Sequence, residues 1–156
     1  MVQSATDSIL EAIEDAAEER SVRAQVTSAA VDCAKSVLRH VPRQDDRAAR
    51  AIAMVKAFQH EFVTLGDVDR AAEEVFNASV EYMVRRDYEA SEACLAAYCA
   101  ALTLVDPNRL NGVAMATAEA MGFAAGSLGA RQEDIEEVEA ILASHIPDIA
   151  AYEAES

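Results

Sequence analysis

Gly112-Val113-Ala114-Met115-Ala116-Thr117-Ala118-Glu119-Ala120-Met121-Gly122-Phe123-Ala124-Ala125-Gly126 is the stretch on which the fold turns. It shows none of the strict alternation of a strand, and its apolar residues recur at the i, i+3, i+4 spacing of a helix. Its side chains are mostly Ala and Gly, and small residues at a contact let two helix axes approach closely. The stretch therefore predicts a helix at the centre of a helical bundle. Just before it, Asp106-Pro107 pairs an N-cap residue with a first-turn proline, a helix start. Just after it, Gly126-Ser127-Leu128-Gly129 predicts a loop.

The same periodicity extends outward in both directions. A first helix is expected after Ser4, with Ile9, Ile13, Ala16 and Ala17 on its apolar face. A second buries Val22, Val26, Ala29, Cys33 and Val37 and ends near Pro42. A third starts at Asp45-Asp46, packs Ala48, Ile52, Val55, Phe58 or Gln59, and Phe62, and is stopped by Gly66 as a C′ glycine. Asp67 is expected to cap a fourth that presents Val75, Phe76, Val80 and Met83. Asp87 caps a fifth with Leu95, Tyr98, Leu102 and Val105 inward. A last helix runs from about Gln132 to Ser144, with Ile135, Val138, Ile141 and Leu142 as its stripe, until Pro147 breaks it. Five Gly, three Pro and a 52% hydrophobic content are too few breaks and too much apolar surface for a β-protein or a disordered chain. The connections are short, so neighbouring helices should run antiparallel. The expectation is an all-α fold, a single-domain antiparallel helical bundle of about six to seven helices over residues 1–156.

Charge divides the chain into three. The formal net charge is -15, from 28 acidic and 13 basic residues. Residues 1–20 carry six acids against Arg20, and residues 131–156 carry eight against Arg131. The core stretch 21–130 is near neutral. Such acidity argues against direct nucleic-acid binding, which phosphate repulsion would oppose, and favours a basic protein partner or a well-solvated surface. Glu14, Glu18, Glu133 and Glu137, on the two acidic flanking helices, are the expected partner-binding residues. Two lysines against eleven arginines also fit a GC-rich or salt-adapted source.

No apolar run approaches the roughly 18 residues that span a bilayer, and the acidic N-terminus has neither the basic flank nor the apolar run of a secretory signal. Cys33, Cys94 and Cys99 each fall among apolar residues on a predicted helix and read as reduced, packed thiols. A cytoplasmic location is expected, with no membrane association.

No catalytic, metal or cofactor-binding constellation emerges. His60-Glu61 begins like a zinc-protease motif, but the second histidine position is Thr64. His40 and His145 fall near helix C-termini, where free carbonyls account for them. Ser127 has the letters of a nucleophile elbow without the preceding strand. Cys94 and Cys99 point about 140° apart around a helix, at about 100° per residue, which suits neither a redox pair nor a zinc pair. None of the three histidines has the Glu-x-x-His spacing of a di-iron bundle. The chain is expected not to be an enzyme and to hold no cofactor. Asp45-Asp46-Arg47 reads as a helix start favoured by the macrodipole, with Arg47 and Arg50 placed to bridge back to Asp46 or Asp32. A sharper reading makes it a clasp fixing the corner between the second and third helices.

At this corner a family resemblance appears. Ala30-Val31-Asp32-Cys33-Ala34, then Val37-Leu38, then Asp45-Asp46-Arg47-Ala48-Ala49-Arg50-Ala51-Ile52 and Phe58 resemble the alanine-rich immunity proteins of bacterial polymorphic-toxin systems. Gly112-Val113-Ala114-Met115-Ala116-Thr117-Ala118 is similar to that family's late helix. The likeness covers about residues 27–125. It departs at Ala48, where the family has proline, at Phe58, where it has tryptophan, and at Glu119, where it has histidine; any function that histidine carries would be lost here. The resemblance implies a helical bundle that binds and neutralises a cognate toxin, with Asp32, Cys33, Asp45, Asp46, Arg47, Arg50, Ile52, Gly112 and Thr117 as its structural motif.

The expected function is thus a non-catalytic protein-binding module, an immunity protein whose partner is a basic toxin. The alternatives are a structural homo-oligomer joined through the Ala- and Gly-rich helix, and a small-molecule binder with a pocket near Tyr98, Phe58 and Met121.

Overall fold

The computed structural model describes residues 20–145. Among them the chain forms six α-helices: α1 (Arg20–Ser36), α2 (Arg47–Gln59), α3 (Leu65–Val84), α4 (Tyr88–Leu102), α5 (Leu110–Ala124) and α6 (Gln132–His145). Single 3₁₀ turns, Leu38–His40 and Pro107–Arg109, precede α2 and α5. No strand occurs among the described residues. The expected first helix with Ile9, Ile13, Ala16 and Ala17, the side chain of Val22, Glu14, Glu18 and the break at Pro147 lie outside the described residues.

The helices pack in two layers of three. In the front layer α4 lies between α3 and α5; in the back layer α1 lies between α2 and α6. The two central helices, α4 and α1, pack against each other, and α4 also touches α2. Cross-links show the directions. Arg50 and Arg47 of α2 reach Glu74 and Glu81 of α3 in descending order, so that pair is antiparallel. One hydrophobic core runs through all six helices.

Helix ends explain most of the boundaries. Thr64 is the N-cap of α3: its hydroxyl accepts from the Asp67 N–H (3.2 Å), while the Asp67 carboxylate accepts from the Thr64 N–H (2.9 Å). This is a capping box, so the cap is Thr64 and not Asp67, which takes the reciprocal N3 role. Gly66 therefore lies inside the first turn of α3 and does not stop α2. Glu61 stops α2: at φ 63° it occupies the left-handed position, and Phe62 N–H and Glu61 N–H close back on Ala57 and Phe58 carbonyls. Arg86, at φ 61°, ends α3 in the same way. Asp87 caps α4 by accepting from the Ala90 N–H, as its position suggested. Asp106 does cap a proline-led turn, but that turn is 3₁₀ and the α-helix begins at Leu110.

The core follows the sequence pattern in α1, α2 and α6, burying Val26, Ala29, Cys33 and Val37, Ala48, Ile52 and Val55, and Val138 and Leu142. Phe62 is an exception, 81% exposed beyond the end of α2. In α3 and α4 the pattern is inverted. The buried side of α4 is Ala90, Ala93, Cys94, Ala96, Ala97, Ala100 and Ala101, while Leu95, Tyr98 and Leu102 are only half-buried and Val105 is exposed. In α3, Val75 is buried with Ala71, Ala72 and Ala78, while Phe76, Val80 and Met83 are exposed. The helix enclosed between neighbours on both sides is α4, so the 112–126 helix is a flank of the front layer and not its centre. A helix packed against α1 and α2 behind and between α3 and α5 at its sides has room for little more than methyl groups, and alanine is what the sequence supplies there.

Candidate functional site

Two groupings of side chains stand out, one at the α2–α3 corner and one on the outer side of the front layer. At the corner, Asp45 precedes α2 and is held by Arg47, which donates to Asp45 from Nε (2.9 Å) and from a terminal nitrogen (2.7 Å). The Tyr82 hydroxyl of α3 donates to the same carboxylate at 2.6 Å. Arg47 also pairs with Glu81, and Arg50 joins Asp46 (2.8 Å) to Glu74 (3.0 Å). The Arg47 guanidinium, helped by the Tyr82 hydroxyl, holds the Asp45 carboxyl well below the usual carboxylate range, against the opposing effect of burial. Asp46 occupies the N-cap position of α2 without a side-chain cap bond, because its carboxylate is turned to Arg50. The side chains of Asp45-Asp46-Arg47 do form a clasp, but it ties α2 to α3 and not α1 to α2 as the sequence suggested, and neither Arg47 nor Arg50 pairs with Asp32.

Asp32 instead pairs with His145, joining α1 to the end of α6. Cys33 is buried beside it, its thiol pushed up to about 12 by burial and by the Asp32 charge. Ile52 is core. Thr117 is fully buried in α5 with its hydroxyl unpaired. Gly112 faces Cys99: a Cβ on Gly112 would lie 3.1 Å from the Cys99 sulfur. The motif residues thus gather into one corner clasp, one α1–α6 link and scattered packing positions. Phe58, Tyr98 and Met121 do not converge on a common pocket. Phe58 lines a groove of about 540 Å³ with Thr27, Val63 and Leu104, Tyr98 stacks on Phe76 of α3, and Met121 is buried.

The second grouping is a seam between α4 and α5. Tyr88 meets Phe123 with ring centroids 5.4 Å apart, Glu92 interacts with Glu119, and Cys99 touches Gly112. The residue numbers in these three pairs share one sum, the mark of two antiparallel helices in a single register. On α4 the positions Tyr88, Glu92, Leu95, Cys99 and Leu102 follow a 4-3-4-3 spacing, one continuous stripe. That stripe lies opposite the buried alanines, on the side of α4 turned away from the back layer. Phe76 (41% exposed), Val80 (47%) and Met83 (46%) of α3 extend it on one side, with Phe76 against Tyr98 at 4.9 Å. Phe123 and Met115 of α5, both half-buried, extend it on the other. Glu92 and Cys99 of the stripe are buried in the contact with α5, while Phe76, Val80, Met83 and Tyr88 remain exposed.

Its floor holds an unusual pair. Glu92 is 9% exposed. Burial, then the charge of Glu119 and a hydrogen bond with it, push the Glu92 carboxyl up to about 7. Among the described residues no basic side chain forms an ion pair with either glutamate. Two carboxyls facing each other without a cation can share one proton but do not both ionise freely.

No protein-family model, curated protein or solved structure matches this chain.

Of the four residues expected to bind a partner, Glu133 and Glu137 are exposed on α6, and Glu133 pairs with Arg131 at 3.1 Å. They belong to the back layer, apart from the outer stripe of α4. The seam residues Glu92, Phe76, Val80 and Met83 were not read as a site from sequence. The 4-3-4-3 spacing of Tyr88, Glu92, Leu95, Cys99 and Leu102 was the available signal, since a second apolar stripe on an alanine-faced helix leaves one of the two without a partner inside the fold.

Proposed function

We propose that this chain is a non-catalytic protein-binding module, an immunity protein that neutralises a cognate toxin by binding it. The observation that carries the reading is the outer face of the front layer. It presents Phe76, Val80, Met83 and Tyr88 at 40% exposure or more, while alanines fill the interior of the same helices. Contiguous exposed apolar residues mark interaction surfaces, and aromatic residues and Met are enriched in protein interfaces. The resemblance of the Asp32–Ile52 and Gly112–Ala118 blocks to immunity proteins supports a toxin as the partner. The net charge of -15 supports a basic one, because an acidic surface steers a basic protein and raises its association rate. In this reading the acidic ends, Glu14, Glu18, Glu133 and Glu137 included, guide approach, and the front face docks.

A homo-oligomer is the second reading, favoured by the same apolar face. Against it, two copies meeting there would bring like carboxyls together at the centre of the contact. Co-expression with the product of the adjacent gene, in cells sensitive to that product, tests the first reading. The expected result is survival and a stable complex on size-exclusion chromatography, both lost with Val80→Glu in a protein whose helical melt is unchanged. The absence of both protection and a complex would overturn it.

A further inference from the structure

We infer that the cleft between α3 and α4 walled by Phe76 and Tyr98 receives one arginine side chain of a basic partner protein, its guanidinium laid on those rings and bonded to the Asp69 and Glu73 carboxylates. The inference deepens the protein-binding reading of the outer face and rests on it.

The cleft has a volume of about 180 Å³ and is lined by Asp69, Ala72, Glu73, Phe76, Tyr98 and Leu102. Small-molecule sites run to roughly 300–1,000 Å³, so this one has room for a single side chain rather than a cofactor. Its floor and walls are apolar: Ala72 is buried, Tyr98 and Leu102 are half-buried, and the Phe76 ring meets Tyr98 with centroids 4.9 Å apart. Its rim is acidic. Three of the acids on α3 are held by arginines: Asp67 by Arg70, Glu74 by Arg50 and Glu81 by Arg47. The other two, Asp69 and Glu73, are the two that line the cleft, and neither forms an ion pair among the described residues.

An arginine matches both parts at once. Its guanidinium stacks on aromatic faces and presents a planar fork of donors to carboxylates, and such charge-assisted bonds are the strong ones. An apolar partner residue seated there would instead strip water from two unpaired carboxylates. The cleft also continues into the docking face. Asp69, Glu73, Phe76, Val80 and Met83 are exposed at 4-3-4-3 spacing along α3, so a partner segment seated on Phe76, Val80 and Met83 passes next over the acids. Charge selects the occupant. Residues 1–19 and 146–156, the chain outside the described residues, contain six and three acids and neither arginine nor lysine, so they cannot supply the cation. A second copy brings its own net charge of -15 and is repelled, where a basic protein is drawn in.

Two small probes test the inference: Nα-acetyl-arginine methylamide and its uncharged isostere Nα-acetyl-citrulline methylamide, each titrated into the full chain at pH 7.5 and low salt. The ring resonances of Phe76 and Tyr98 are followed by NMR. The arginine probe is expected to shift both rings saturably at millimolar concentration and to bind roughly tenfold or more tighter than the citrulline probe, the equivalent of one charge-assisted bond. The preference should vanish in the Asp69→Asn, Glu73→Gln double variant, and Phe76→Ala should weaken the arginine probe in a protein whose helical melt is unchanged. Equal binding of the two probes, an unchanged preference in the double variant, or no saturable shift at those rings overturns the arginine assignment. Self-association in sedimentation that the double variant abolishes would place a second copy's arginine in the cleft and likewise overturn the basic partner. Loss of protection on co-expression with the arginine preference intact would instead overturn the toxin reading and leave the cleft standing.

Discussion

The Tyr82 hydroxyl donates to the Asp45 carboxylate at 2.6 Å across 37 residues of sequence, and Arg47 grips the same carboxylate from the other side. That one carboxylate ties the start of α2 to the last turns of α3. Removing the phenol in Tyr82→Phe should lower the unfolding free energy by roughly 1.5–3 kcal/mol, the usual worth of a hydrogen bond to a charged group. Urea denaturation at pH 7 reads it directly. An unchanged midpoint would mean the clasp contributes nothing to stability.

The clasp should also fail in acid. The folded Asp45 carboxyl is held below its ordinary value of 3.8, so the stability it contributes is present above that value and is lost as pH falls below it. Asp45→Asn should therefore be less stable than the native chain at pH 7, with the difference narrowing steadily from about pH 4 towards pH 2. Thermal melts of both proteins across that range check the slope. A gap independent of pH would assign the effect to packing.

Glu92 should behave in the opposite sense. Its carboxyl titrates near 7 in the folded chain against an ordinary 4.5. The folded state thus holds a proton that the unfolded state releases, and stability falls as pH rises from 4.5 to 7. Glu92→Gln removes that loss. It should raise the melting temperature at pH 8 by roughly 2–4 °C, about 1 kcal/mol after allowance for solvent screening, and leave it nearly unchanged at pH 4.

Thr117 carries a fully buried hydroxyl with no partner. Valine has nearly its shape without the unpaired group, so Thr117→Val should stabilise the chain by about 1 kcal/mol. Destabilisation by calorimetry would mean that the hydroxyl is in fact bonded.

Gly122 lies where the backbone after α5 crosses it. A Cβ there would fall 1.8 Å from the Gly129 carbonyl oxygen and 3.0 Å from the Ala130 Cα. The obstacle is main chain and cannot rotate away, so Gly122→Ala should cost about 1–3 kcal/mol. Arg86→Gly should do the reverse: at φ 61° the arginine bears a left-handed strain that glycine does not, a relief of about 1 kcal/mol.

Helix class, order and most boundaries could be read from periodicity because α1, α2 and α6 each bury the one stripe their sequences display. Periodicity reports which residues share a face, but not which of two faces a neighbour will cover. In α4 two stripes compete, one of alanines and one of Leu95, Tyr98 and Leu102, and size alone chose the wrong one. The deciding fact, that α4 is hemmed in by four other helices, is tertiary and leaves no local trace. The corner clasp was half legible: Asp45 and Arg47 are near neighbours in the chain, whereas Tyr82, Glu81 and Glu74 come from another helix. The Glu92–Glu119 pair joins two helices and could not be seen before their register was known. Glu61 and Arg86 escaped notice because sequence points to glycine at such positions, and neither is glycine.

The division of side chains in α3 and α4, small within and large without, separates two kinds of mutational freedom. The alanine interior tolerates almost no enlargement, so it fixes the shape of the scaffold. Phe76, Val80, Met83 and Tyr88 fill no internal volume, and exchanging them leaves helix spacing untouched. Such a protein can change what it fits by altering its outer residues one at a time, without passing through unfolded intermediates. Changes confined to those outer positions are thus a route to a new surface at little risk to the fold.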